Sequence, residues 1–203
     1  MDRIILHWTA GKYTASGLDR EHYHYLIESD GEIVAGKFPV AANKTLIPGH
    51  YAAHTLNCNR NAIGVSMCAM FNATPENFGE FPYTKLQWSS MVDLVARLCV
   101  AYKIPVTRMT VLSHAEVEPT LQIKQRGKWD ITVIPWNSAI KGPVAVGDMF
   151  RLEVAAILAA RQVRSFDTSS EPRKSAVSVG PFAAKERPSF FRWLFSTVKG
   201  GKK

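Results

Sequence analysis

Two short apolar runs, each ending in a histidine, constrain this chain more than any other feature. Ile4-Ile5-Leu6 leads into His7, and the turn-prone Thr9-Ala10-Gly11 follows. Met109-Thr110-Val111-Leu112-Ser113 leads into His114, and Gly127-Lys128-Trp129-Asp130 comes shortly after. Apolar runs of this length read as buried strands, so the chain is expected to place two histidines at strand ends. Two such histidines and one carboxylate are the donor set of an open zinc site, in which a fourth position is left for water. The chain has neither HExxH nor CxxC. Spacing alone therefore leaves the plain alternative standing, that of hydrogen-bonded histidines at the rim of a core.

The remaining pattern is that of a mixed α/β domain. Tyr23 to Glu28 and Glu32 to Gly36 read as strands joined by the turn Ser29-Asp30-Gly31. Phe38 to Tyr51, with Pro39, Pro48 and Gly49, reads as a surface loop, and Ala62 to Met70 as a central strand. Thr84 can cap an amphipathic helix running to about Tyr102, which Ile104-Pro105 ends. Later, Asp148 can cap a second helix from about Met149 to Val163. Residues 165–188 are rich in Ser, Pro and charge and read as a linker, and 189–203 form an aromatic and basic end.

Charge divides the chain in the same place. Residues 1–140 hold 13 Lys and Arg against 12 Asp and Glu, whereas 141–203 hold 12 against 5. The net charge of +8 thus belongs mostly to the extension, and any anionic partner is to be sought there. Cys58, Cys68 and Cys99 suggest neither a disulfide framework nor a zinc knuckle. Cys68 and Cys99 sit in apolar runs, and Cys58, among polar residues, is expected to be the exposed thiol. No run reaches the ~18 apolar residues of a membrane span. Met1-Asp2-Arg3 leads straight into a strand without the regions of a secretory signal, so a cytoplasmic location is expected.

Five segments in order carry a resemblance. They are His7-Trp8-Thr9-Ala10-Gly11, Tyr23-His24-Tyr25-Leu26-Ile27 with Asp30-Gly31, Ala53-His54 with Asn61-Ala62-Ile63-Gly64-Val65, His114-Ala115-Glu116-Val117, and Lys128-Trp129-Asp130. Over about residues 1–137 the chain resembles the zinc-dependent type 2 N-acetylmuramoyl-L-alanine amidases, whose fold is shared by peptidoglycan recognition proteins and phage endolysins. The resemblance implies a mixed central sheet flanked by helices, forming a catalytic domain over 1–140, with 141–203 as a basic C-terminal extension. It implies zinc ligands His7, His114 and Asp130, and hydrolysis, by zinc-activated water, of the lactyl amide between N-acetylmuramic acid and L-alanine. Tyr23 matches the catalytic tyrosine, Lys128 is positioned to stabilise the oxyanion, and His54 lies in the substrate groove with Arg60 and Asn61 nearby.

Several readings remain beside that one. Asp130 can instead cap a turn before Ile131-Thr132, and Tyr23 and Tyr25 can be ordinary strand aromatics. On an extended segment Glu116 would reach the same region as His114 and is the rival carboxylate; it is read as a supporting or structural acid. His24, pointing opposite to Tyr23, is expected to be packed and hydrogen-bonded, and His22 and His50 to be loop residues without a role. Some cytosolic relatives carry a glutamate after Ile-Gly where this chain has Ser66, which leaves proton transfer to Tyr23, Lys128 or the activated water. This favours the phage-like or recognition-protein-like branch, and the missing signal with the basic tail fits a phage or prophage endolysin, held in the host cytoplasm before release to the cell wall. The alternatives are a non-catalytic peptidoglycan-binding module and a cytosolic muropeptide-recycling amidase. Peptidoglycan is the expected partner; the tail either contacts anionic membrane or lipopolysaccharide or docks its aromatics on the domain, and no specific nucleic acid is expected.

Overall fold

Alternation along the first strand assigns the two faces of the sheet. The computed structural model describes residues 1–169, with side chains to 163. In β1 (Arg3–Trp8), Ile4, Leu6 and Trp8 enter the larger core, while Ile5 joins a smaller cluster with Cys58, Ala62, Leu112 and Val117. Successive side chains point to opposite faces of a strand, so His7 shares the face of Ile5. It is fully buried there.

Five strands form one mixed sheet in the order β3-β2-β4-β1-β5. β1 runs parallel to β4 (Ala62–Met67) and to β5 (Val111–Ser113), and His7 lies in register with Ser66. β2 (Tyr25–Ile27) is parallel to β4, and β3 (Ile33–Ala35) closes the far edge as an antiparallel hairpin partner. The short helix α1 (Gly17–His22), capped by Ser16, ends directly at Tyr23. Histidines at the ends of neighbouring parallel strands thus emerge at one end of the sheet.

The long helix is where the sequence puts it. α2 spans Lys85–Tyr102, and Thr84 and Gln87 form a reciprocal capping box. Buried Gln87 also donates to the carbonyls of Ile27 and Cys68 at 3.0 and 2.9 Å, fastening the helix start to the sheet. α3 (His114–Leu121) follows β5 without a loop. α4 (Pro143–Ser169) packs on α2, α3 and β5. Its Phe150 is fully buried, with its ring centroid 5.1 Å from that of Trp88. Residues 1–169 form one compact unit. Among the described residues no helix is long and apolar enough to cross a membrane.

Four local expectations change. Glu116 is helical rather than extended, because Ser113 and Glu116 form a capping box that starts α3 at His114. Asp148 lies inside α4 rather than capping it, and it accepts from Arg108 and Arg151. Cys58 is buried at 4% exposure, packed with Ile5 and Leu112 and 3.3 Å from Arg3 Nη1. The hairpin strands are shorter than read, because Tyr23 belongs to the end of α1. Residues 165–169 are helical; the rest of the expected linker and the aromatic-basic end 189–203 lie outside the described residues.

Candidate active site

A pocket of about 760 Å³ opens at the ends of β1 and β5, lined by Trp8, Tyr23, His54, His114, Lys128 and Asp130 among others. His7, His114 and Asp130 are all buried, and one potential ligand atom from each lies within 4.8 Å of the others. Asp130 Oδ2 stands 3.2 Å from Nδ1 of His7 and 3.2 Å from Nδ1 of His114. A tetrahedral zinc with bonds of about 2.0–2.1 Å has ligand–ligand edges of about 3.3 Å, so these separations suit a shared cation.

Hydrogen bonding at the other ring nitrogen sharpens the test. His114 Nε2 lies 2.9 Å from Gln125 Oε1. The Gln125 amide cannot be reversed without loss, since its nitrogen donates to the carbonyls of Leu56 and Ile123 at 2.9 and 3.2 Å. Nε2 therefore carries the proton, and in neutral His114 the Nδ1 lone pair faces a carboxylate oxygen at hydrogen-bond distance. Only a second proton or a cation between them removes that repulsion. His7 Nε2 faces His54 Nδ1 at 3.3 Å and Thr55 Oγ1 at 3.4 Å, and the latter two are 2.8 Å apart. Both histidines are thus oriented from behind, as metal-binding imidazoles generally are. The residues fit a zinc ion.

Electrostatics set the same charge states. Burial pushes His7 down to about 4, with His114 and Lys128 adding to the effect and Asp130 opposing it, so the ring is neutral at physiological pH. Burial works to raise Asp130, but its close contacts with His114 and His7 outweigh it and hold the carboxyl well below the usual range. Burial, helped by His7 and His24, keeps His54 neutral. A neutral His7 imidazole and an ionised Asp130 carboxylate are forms that bind metal.

The chain pays a conformational penalty to aim Asp130. Ile131, β-branched and fully buried, has φ +63°, and Arg126 and Gly127 also lie in the left-handed region. Such a conformation for a β-branched residue is a true outlier. It turns the backbone so that Ile131 enters the core while Asp130 faces the histidines. Trp129 packs edge-on against Trp8 with centroids 4.6 Å apart, holding the same loop.

Tyr23 stands with its ring centroid 5.1 Å from that of His7. Burial pushes its phenol above the ordinary value, and Asp130 and Asp19 add to this, so it is a neutral donor. Lys128 is exposed on the pocket wall and makes no ion pair among the described residues. His54 lines the pocket beside His7.

Arg60 and Asn61 are not brought into the pocket. Arg60 donates to the Lys44 carbonyl at 2.9 Å, and Asn61 donates to Asp2 at 3.0 Å, at the end of the sheet away from His7. Asn59 lines the pocket instead, and its side chain accepts from the backbone of His54 and Thr55. His24 is packed as expected, bonded to Asn43 and to the Gly64 amide. His22, read as having no role, lines the pocket wall, whereas exposed His50 is not among its lining residues. Gln125 and Thr55 were missed, because polar residues in irregular loops carry no periodic signal. Glu116 points away from the pocket to Arg151.

The sequence profile of the N-acetylmuramoyl-L-alanine amidase family matches residues 1–131. No curated protein matches the chain. Among solved structures the chain is similar to the amidase LysC from Clostridium intestinale URNW, at 18% identity over 61% of this chain and 86% of that one, with a TM-score of 0.38. It is similar to the Ph2119 endolysin from Thermus scotoductus MAT2119 bacteriophage Ph2119, at 18% identity over 66% and 79%, with a TM-score of 0.40. A third is a mutant of PlyL, at 18% identity over 76% and 84%, with a TM-score of 0.45.

Proposed function

Because the chain belongs to the N-acetylmuramoyl-L-alanine amidase family, we propose that it is a zinc-dependent peptidoglycan hydrolase. It cuts the amide between the lactyl group of N-acetylmuramic acid and the L-alanine of the stem peptide. One observation carries the zinc assignment. The Gln125 contact forces the lone pair of His114 Nδ1 toward Asp130 Oδ2 at 3.2 Å, in a pocket where His7 Nδ1 meets the same oxygen.

His7, His114 and Asp130 would hold the ion. What a bound zinc supplies is Lewis acidity and a water made acidic near neutral pH. Tyr23, kept neutral by burial, donates a hydrogen bond toward the oxyanion that develops on the scissile carbonyl. Lys128 adds a positive charge on the same wall of the pocket. His54 borders the bound amide and orients His7 from behind. The departing amine must gain a proton. With Ser66 where some relatives hold an acid, Tyr23 and Lys128 are assigned that transfer.

The biological setting follows as part of the proposal. It is that of a phage or prophage endolysin, held in the host cytoplasm until release to the wall. The aromatic-basic segment 189–203 contacts anionic lipid or lipopolysaccharide.

Metal content tests the chemistry. Purified protein carries about one zinc per chain, chelation abolishes sacculus hydrolysis, and added zinc restores it. His114→Ala loses both metal and activity. Full activity in a metal-free preparation overturns the reading.

A further inference from the structure

We infer that Arg151 is a positioning residue for the metal site, locking the β5–α3 junction and thereby setting where His114 stands. This rests on the reading of His114 as a metal ligand. Arg151 lies on α4, beyond the residues 1–131 that match the family profile, so the clamp comes from a segment outside the matched domain.

The guanidinium is buried and uses both terminal nitrogens. Nη1 donates to the Val111 carbonyl at 2.8 Å and to Glu116 Oε2 at 3.2 Å. Nη2 donates to Glu116 Oε1 at 2.8 Å and to Asp148 at 2.7 Å. Glu116, 1% exposed, is itself the closing member of the cap on α3: its Oε2 accepts the Ser113 amide at 2.8 Å. One planar cation therefore holds the first residue of β5 and the acid that shapes the first turn of α3. His114 lies between these anchors as the first residue of that helix. The next amide, Ala115, bonds the Asp130 carbonyl at 3.4 Å, so a shift of this turn moves two ligands together.

α4 is shaped for this contact. A Cβ on Gly147 would stand 2.2 to 2.4 Å from the Glu116 carboxylate, so only glycine lets the helix come this close. Asp148 holds Arg151 from the other side and is itself anchored by Arg108. A buried ion pair contributes little net stability compared with apolar residues of similar volume. A bidentate guanidinium–carboxylate pair does fix geometry, and geometry is what a metal ligand requires.

The test compares the full chain with Arg151→Lys and with the neutral double variant Glu116→Gln/Arg151→Met, which leaves no buried charge unpaired. Zinc affinity is read by chelator competition, ligand geometry by cobalt absorption, and the junction by amide hydrogen exchange at residues 113–117 in metal-free protein. The double variant should keep its cooperative unfolding yet bind zinc ~10–100-fold more weakly. Its cobalt spectrum should change, exchange at 113–117 should rise, and kcat should fall with KM unchanged. Arg151→Lys should lie between the two. A folded double variant with wild-type zinc affinity and wild-type exchange overturns the proposal, and if it does not fold, Arg151→Lys decides on the same readouts. If the wild-type protein binds no zinc, the metal-site reading falls by itself. Exchange at 113–117 then still judges the clamp, and an unchanged rate overturns it.

Discussion

Gln125 Oε1 accepts the Nε2–H of His114 at 2.9 Å, and this contact decides which nitrogen of the imidazole is left for a metal. Gln125→Met removes the acceptor while keeping most of the volume. The ring is then free to change tautomer, and zinc affinity should fall ~10–100-fold. The Leu56 and Ile123 carbonyls also lose their donor, costing about 1–3 kcal/mol of stability. Chelator competition and urea unfolding separate the two effects. Wild-type zinc affinity in a folded variant would show that Gln125 is not what orients His114.

Tyr23 is placed by a neighbour in the hairpin. A Cβ on Gly36 would stand 1.8 Å from the Tyr23 carbonyl oxygen, so Gly36→Ala must push the Tyr23 backbone away. The neighbours that this Cβ meets are Tyr23 and Arg20, none of the three proposed ligands. Zinc content should hold while kcat drops toward that of Tyr23→Phe, itself slowed on the order of a hundredfold as for a lost oxyanion donor. Turnover and metal content measured on the same preparations check this. A Gly36→Ala protein that folds and turns over at the wild-type rate would argue against a catalytic Tyr23.

What the sequence made legible is the part built from periodic segments. The runs ending at His7 and His114 are short strands because their side chains are buried on both faces, and Thr84 with Gln87 marks the start of α2 by a local hydrogen-bonding rule. The grouping of His7, His114 and Asp130 followed from motif order. The supports did not. Gln125 and Asn59 act from irregular loops, and Arg151 meets Glu116 across 35 residues. Arg60 and Asn61 were misjudged because nearness in sequence to His54 does not survive the turn into β4. The extended segment expected around Glu116 is instead the first turn of α3, because a capping box turns strand into helix within one residue.

His24 makes stability depend on pH. Burial pushes it down to about 4, although the hydrogen bond to the Asn43 side-chain oxygen pulls it upward. The unfolded chain takes up this proton near pH 6.5, the folded chain only near 4, so the unfolded state binds more protons between the two. His24's contribution is thus full above about pH 6.5 and is lost as pH falls toward 4, by on the order of 3 kcal/mol. Urea midpoints of metal-free protein should fall across this window, and His24→Gln should flatten the slope. An identical slope in that variant would assign the acid sensitivity elsewhere, to His7 or His54.

The tail needs a cut placed after α4, because α4 buries Phe150 and Val154 and supplies Arg151. Residues 170–203 carry eight Lys and Arg against two Glu, with Phe190, Phe191, Trp193, Leu194 and Phe195 among them. Basic residues near an anionic leaflet each contribute about 1 kcal/mol, and the attraction weakens as salt shortens the Debye length. Chain 1–169 should therefore hydrolyse isolated sacculi at the full-length rate but lose binding to vesicles rich in anionic lipid. Full-length protein should bind those vesicles at low salt and release them as salt rises. If it ignores anionic vesicles at low salt, the tail has no membrane role. If 1–169 instead binds sacculi more weakly than full-length protein, the cations serve the cell wall polymer rather than the lipid.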